Sequence, residues 1–351
     1  MTQETTAAST IRSLESRLER LTSDAQFTDV QSELTQTDGL LSALPGRVAA
    51  LRTRKYVYNA TLEKEIADLA ERWPAARRQA EGNLQLKAAS LRPAVSKAAT
   101  AVAALAPLRE QALTRARATI DQAEAELKTL SSTVEAQLRS IEGGYKPLAD
   151  AIDAVANRVQ HCERNLDLLD GATFQLAAGE SLVEATQAWL VDGKEETEGV
   201  LFATDQRLLF ERREKVARRK ILFITTSSEL VKELLWEAPM QDLERIDASE
   251  ARQMLRRREL ITLTPRSGAS AATAQFRLQT DSDGWRATLL RIQNGEIDAT
   301  RDANAPAPVE YIVPSKCPTC GGALSKPGRI RGVSSVACEY CGANIVLEKA
   351  S

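Results

Sequence analysis

The sequence predicts a multi-domain α+β protein: a long antiparallel helical coiled coil, a small antiparallel β domain with a C-terminal helix, and a four-cysteine metal ribbon. Three observations carry this. Residues 9–170 are rich in Ala, Leu, Glu, Arg and Gln, with apolar residues at helical spacing. Aromatic residues make up only 4% of the 351, and most of them follow residue 173 among β-branched neighbours and turn signals. Four of the five cysteines fall in the last tenth of the chain, as two Cys-x-x-Cys pairs. The boundaries that follow are 9–170 for the helices, 173–297 for the β domain, 298–310 for a linker and 311–351 for the ribbon.

The helical part reads as five runs. Ile11, Leu14, Leu18 and Leu21 form a first stripe, and Asp38-Gly39 with Pro45-Gly46 punctuates the chain after it. A second run carries Val48, Leu51, Tyr58, Leu62, Leu69 and Trp73 up to Pro74, and a third carries Leu91, Val95, Val102 and Leu105 up to Pro107. A fourth runs from Leu113 to Ile141, where Glu142-Gly143-Gly144 reads as a helix break. In the fifth, Leu148, Ile152, Val155, Val159, Cys162, Leu166 and Leu169 alternate four and three apart, the heptad seam of a coiled coil. Such a seam suits either burial within the chain or self-association into a homo-oligomer. Pro74, Pro93 and Pro107 are compatible with helix ends, first turns or kinks.

Asp170-Gly171 closes the helices, and short β-rich segments follow at 182–190, 198–203, 207–212, 220–225, 234–237, 243–248, 260–264 and 274–279. Ser282-Asp283-Gly284 offers an N-cap for a last helix, in which Trp285, Leu289 and Ile292 share one face before Asn294-Gly295. Seven or so antiparallel strands capped by one helix is the plan of a pleckstrin-homology-like (PH-like) β-barrel.

The run Ala178-Gly179-Glu180-Ser181-Leu182, followed by Glu198-Gly199-Val200-Leu201-Phe202-Ala203-Thr204-Asp205-Gln206-Arg207-Leu208-Leu209-Phe210, resembles the bacterial PH-like and GRAM-like domains. Their second and third strands carry a G-x-L-x-x-T-x-x-R-L-x-F pattern, with Thr204-Asp205-Gln206 as the hairpin turn here. The likeness spans roughly residues 173–296. The order of helical coil, PH-like domain and zinc ribbon is similar to that of bacterial coiled-coil adaptor proteins. By length and composition alone, the helical part also resembles the phage-shock-protein-A and ESCRT-III-like hairpins that polymerise on membranes.

Two basic clusters lie between candidate strands, as two cationic loop tips. One holds Arg212, Arg213, Lys215, Arg218, Arg219 and Lys220; the other holds Arg252, Arg256, Arg257 and Arg258. Either they form an anionic-ligand patch for a membrane surface or an acidic partner, or they are solvated tips that keep the sheet soluble. Nucleic acid is a weaker partner, because the net charge is −2 and neither cluster interleaves aromatics.

After the polar, proline-bearing linker comes a short strand near 311–314, then Cys317, Cys320, Cys338 and Cys341. Two thiolates from one tight turn reach one ion, and seventeen residues between the pairs fit a tetrahedral four-cysteine zinc site. Structural Zn2+ is the predicted cofactor, held by these four metal ligands. Strands are expected at 334–337 and 344–347, with 328–332 as a loop.

The chain is read as non-enzymatic. Its one histidine, His161, precedes a seam position and is expected on the surface; Cys162 occupies the seam as a small core residue. No Walker loop, dinucleotide fingerprint or nucleophile elbow occurs. No apolar run reaches the ~18 residues of a membrane span, and the N-terminus lacks a secretory pattern, so the expected location is the cytoplasm, extending to the inner face of the membrane as a peripheral protein. The function that results is an adaptor or scaffold: helices for assembly or partner binding, the PH-like domain for docking to a membrane surface or protein, and the ribbon for protein interaction. Two alternatives remain open. One is a nucleic-acid-associated zinc-ribbon factor, drawing on Lys316, Lys326, Arg329, Arg331 and Lys349; the other is an ESCRT-III-like membrane-remodelling polymer.

Overall fold

The computed structural model describes residues 7–221, 224–253, 256–324 and 328–350, and their side chains apart from 215–221, 224–229, 252, 253 and 256. The chain divides into two compact units, Met1–Gly46 with Glu63–Arg158, and Arg47–Leu62 with Val159–Ser351.

Four long helices replace the five expected runs: α1 (Ala8–Asp24), α2 (Thr28–Thr53), α3 (Leu62–Ala103) and α4 (Leu113–Asp170). The break between α1 and α2 falls at Phe27, whose φ of 52° is left-handed, and not at Asp38-Gly39 or Pro45-Gly46. Those two dipeptides lie inside α2, where burial of Leu34, Leu41, Leu44, Val48 and Leu51 on one face outweighs the local preference for a turn. The expected second run is two elements joined by an irregular segment at 54–61.

The expected break at Gly143-Gly144 is absent, and α4 runs through it for 58 residues. The reason is its seam. Ile141, Tyr145, Leu148 and Ile152 are buried and stay three or four apart across the glycines, so core packing continues where propensity is weakest. Pro45, Pro74, Pro93 and Pro147 all sit within helices and all face solvent, where water can satisfy the carbonyl each leaves unpaired.

In the first unit, contacts between helices fix their directions. Glu33 accepts from Tyr145 and Lys146 at 2.5 Å each and Arg47 further along α2 pairs with Glu163, so α2 runs alongside α4 in the same sense; Glu15 of α1 pairs with Arg109, just before α4. Glu65 pairs with Arg158 and Lys97 with Glu126, which makes α3 antiparallel to α4. Asp38 ties α2 to α3, accepting from Trp73 Nε1 at 3.1 Å and pairing with Arg77 at 2.6 Å.

The second unit is built on a seven-stranded antiparallel sheet: β1 (Leu182–Asp192), β2 (Glu195–Thr204), β3 (Arg207–Ile221), β4 (Ile224–Pro239), β5 (Leu243–Gln253), β6 (Arg256–Pro265) and β7 (Ala274–Leu278). Its order is β4-β3-β2-β1-β7-β6-β5, so β4 and β5 are edges and the expected closed barrel is an open sheet. Closure is replaced by side-chain bridging. Trp236 on β4 packs on Phe276 of β7 at 5.5 Å, and its indole N–H donates to the Ala272 carbonyl at 2.9 Å. The other edge is covered by α5 (Ser282–Gln293), whose Gln293 and Arg286 donate to the β5 carbonyls of Leu243 and Ile246. Trp285, Leu289 and Ile292 are the buried face of α5, and its N-cap is Asp281, one residue before the expected position.

Six successive residues of β2, Gly199–Thr204, are buried, so both faces of the sheet are covered there. The end of α4 meets the sheet through Arg213, which donates to the Leu168 carbonyl at 2.8 Å, and through His161, which meets Glu184 of β1 at 2.8 Å. Residues 298–310, expected as a polar, proline-bearing linker, carry backbone bonds to the 57–60 loop. A 3-10 turn at Glu296–Thr300 leads into backbone bonds from Ala60 N–H to the Thr300 carbonyl and from Asp302 N–H to the Val57 carbonyl.

The ribbon has two small sheets. β8 (Glu310–Val313) pairs with β9 (Gly328–Arg331) and β12 (Glu348–Lys349), while β10 (Ser335–Ala337) pairs with β11 (Asn344–Val346). The expected loop at 328–332 is thus largely a strand, held by four register pairs to β8.

Candidate metal centre

Each Cys-x-x-Cys pair sits in a turn that closes on itself. Cys317 N–H donates to the Gly322 carbonyl and Gly321 N–H to the Cys317 carbonyl; Cys338 N–H and Gly342 N–H repeat the pattern with Ala343 and Cys338. The turn requires a left-handed residue directly after the second cysteine, and Gly321 (φ 75°) and Gly342 (φ 72°) supply it.

These turns bring the four sulfurs within 4.8 Å of one another. Cys317 Sγ lies 3.9 Å from Cys341 Sγ, and Cys320 Sγ lies 3.7 Å from Cys338 Sγ. A tetrahedron with metal–sulfur arms of about 2.3 Å has edges of about 3.8 Å, so the set matches a four-coordinate ion. All five cysteines of the chain are free thiols. Backbone N–H groups of Cys320 and Thr319 aimed at its sulfur bring the Cys317 thiol down to about 6, while the sulfurs crowded round Cys320 push that thiol up to about 12, so the cluster shares its protons.

The ribbon's core consists of Val313, Cys317, Leu324, Cys338, Ile345 and Leu347, backed by Tyr311, Ile330 and Val336. Two of the six belong to the four clustered cysteines, so only four apolar side chains make up the rest of this core. On the outside, Ile312, Tyr340 and Val346 are exposed at 44%, 69% and 78%.

The basic residues do not form loop tips. β3 and β4 are one long hairpin, paired from Arg207 with Pro239 to Ile221 with Ile224, and Arg212 to Lys220 lie along it. Arg256, Arg257 and Arg258 lie on β6, with Arg252 opposite Arg257 on β5. The described side chains are engaged. Arg212 pairs with Glu214, Arg213 with Glu211, Arg257 with Glu250 and Glu259, and Arg258 with Glu196. The side chains of Lys215, Arg218, Arg219, Lys220, Arg252 and Arg256 lie outside the described residues. The sequence alone sets the first cluster against its two glutamates, Glu211 and Glu214, but as a loop tip; on a strand, residues two apart share a face, and that is how Arg212 meets Glu214 and Arg213 meets Glu211.

Thr204, Asp205 and Arg207 of the G-x-L-x-x-T-x-x-R-L-x-F stretch have structural partners. Thr204 Oγ1 accepts from the N–H groups of Gln206 and Arg207 and donates to Glu180 at 2.7 Å. Arg207 donates to Glu180, to Glu237 and to the Gln175 carbonyl. A Cβ on Gly199 would stand 2.2 Å from the Glu211 carbonyl oxygen and 2.6 Å from the Phe210 ring, so close strand packing admits only glycine there. Asp205 is likewise buried, accepting from Ser181 N–H at 2.9 Å and from Arg301 at 3.0 Å.

His161, expected as a surface imidazole, is half-buried between Glu184 and Asn165, and the Glu184 carboxylate holds its pKa above the usual imidazole value. Its partner comes from a distant strand, which no local spacing announces. Cys162 is buried beside Asn59, and burial pushes its thiol up, away from reactivity. Among the described residues no helix is long and apolar enough to cross a membrane.

No protein-family model and no curated protein matches the sequence. Among solved structures, the N-terminal PH domain of Vps36 aligns at 18% identity and a TM-score of 0.23, over 35% of this chain and 86% of that one. The DH/PH domains of PDZ-RhoGEF, in complex with activated RhoA, align at 10% identity and a TM-score of 0.28, over 78% and 95%. The C-terminal domain of an unknown protein from Leishmania infantum aligns at 17% and 0.21, over 33% and 84%. At these scores the likenesses carry no argument about fold or function.

Proposed function

We propose that the chain is a non-enzymatic adaptor in which a zinc-stapled ribbon presents a protein-docking surface on a PH-like module. The observation that carries this reading is the closed set of four sulfurs. Four thiolates satisfy a tetrahedral ion and leave no position for water or substrate, so the ion serves structure. The ordinary ion for such a set is zinc. Cys317, Cys320, Cys338 and Cys341 would hold it, and it would supply the folding free energy that six core residues do not.

The PH-like assignment is supported by the strand order and by α5 lying along the β5 edge. A docking surface is supported by the exposure of three apolar side chains, Ile312, Tyr340 and Val346, on a unit of short strands. A protein partner is favoured over an anionic membrane because Arg212, Arg213, Arg257 and Arg258 already pair with carboxylates.

Photo-crosslinking in the full chain tests this. A benzophenone amino acid at position 340 or 346 should give a discrete adduct with a cellular protein, lost on zinc chelation, whereas the same group at the exposed Leu86 should not. Absence of adducts at 340 and 346, combined with co-sedimentation of the chain with phosphatidylserine vesicles, would replace the protein partner with a lipid one.

A further inference from the structure

Residues 298–310 lie across the second unit as a strap with one deep anchor. The Arg301 guanidinium is 9% exposed. It donates to Asp205 Oδ2 at 3.0 Å, to the Tyr58 hydroxyl at 3.2 Å and to the Pro306 carbonyl at 2.6 Å. On either side, the backbone bonds from Ala60 to Thr300 and from Asp302 to Val57 fasten the strap to the 57–60 loop.

The ribbon holds both ends of this strap. Arg331 of β9 bridges Asp298, where the strap begins, at 2.6 Å and Glu310, where it ends, at 2.8 Å. Gly332, with φ 79°, packs directly on Gln206, the neighbour of Asp205, where an added Cβ would meet Gln206 at 3.0 Å. Gln206 Nε2, Asp298 Oδ1 and Arg301 Nε are buried without a hydrogen-bond partner, and all three belong to this junction.

We propose that metal binding at the four cysteines holds a latch: while the ribbon is folded, Arg301 stays inserted between Asp205 and Tyr58, and loss of the ion releases residues 298–310. The inference rests on the metal reading above. It follows from the ribbon's small core, which leaves β9 and Arg331 unsupported once the thiolates separate. Release uncovers Tyr58, Ser181 and Asp205 together with the Val57 carbonyl and Ala60 N–H, so the chain would report its metal state on a surface remote in sequence from the cysteines.

Hydrogen exchange on the full chain under reducing conditions, with zinc bound and after chelation, is the test, with metal content measured in parallel. Chelation should speed exchange at Gly321 and Gly342 and, at least about tenfold, at Ala60 and Asp302, with restoration by zinc. Arg331→Ala should keep its zinc and still lose protection at Ala60 and Asp302. The latch is overturned if chelation opens Gly321 and Gly342 while Ala60 and Asp302 stay protected, or if zinc-loaded Arg331→Ala protects both as the parent does. A chain that carries no zinc, with Gly321 and Gly342 indifferent to chelator, would overturn the metal reading and with it the trigger.

Discussion

Arg207 and Glu180 form an ion pair inside the second unit, Nε to Oε1 at 2.8 Å, with the Glu180 side chain wholly buried and Arg207 17% exposed. The pair joins the first residue of β3 to the segment preceding β1, and Thr204 completes it from the end of β2. Three segments separated in sequence thereby share one buried carboxylate.

Arg207→Ala should therefore destabilise the sheet by about 3 kcal/mol or more, because it strands the Glu180 charge in the interior. Urea unfolding followed by tryptophan fluorescence measures this. A loss below about 1 kcal/mol would mean that Thr204 and the Ala177 N–H at 2.6 Å suffice for Glu180.

Gly143→Ala and Gly144→Ala should each stabilise α4 by about 1 kcal/mol. Both glycines are exposed inside a continuous helix, and an added Cβ would meet nothing within 4 Å at either. Helical circular dichroism during thermal unfolding should show a higher midpoint. A lower midpoint would show that the helix is not continuous there.

The same glycines mark how far the sequence could be read. Apolar spacing located the helical region, and the seam from Leu148 to Leu166 is buried within the chain. Glycine and proline misled because propensity is worth about 1–3 kcal/mol per residue and a buried seam outweighs it. Extending the seam back through Tyr145 to Ile141 would have shown the two runs to be one. That the four cysteines come together was legible, since the spacing of two Cys-x-x-Cys turns is a local property. The partners of Arg301, His161 and Arg331 were not, because each meets a residue distant along the chain and no periodicity encodes such a pairing.

His161 makes the junction of α4 and β1 sensitive to pH. Its folded pKa is raised by the hydrogen bond and charge of Glu184, opposed by burial and by Arg164. A group whose pKa rises on folding stabilises fully below its unfolded value, about 6.5, and that contribution is lost as pH climbs through the raised folded value. Unfolding midpoints should thus fall across this window in the parent and change less in His161→Gln. Identical pH profiles for the two would remove His161 from the account.

The most direct test of the central claim is the metal content of the full chain purified under reducing conditions, by elemental analysis. One zinc per chain, lost in Cys317→Ser/Cys338→Ser and resistant to Cys162→Ser, is the predicted result. A parent chain without metal, or a double variant that keeps its zinc, would contradict it.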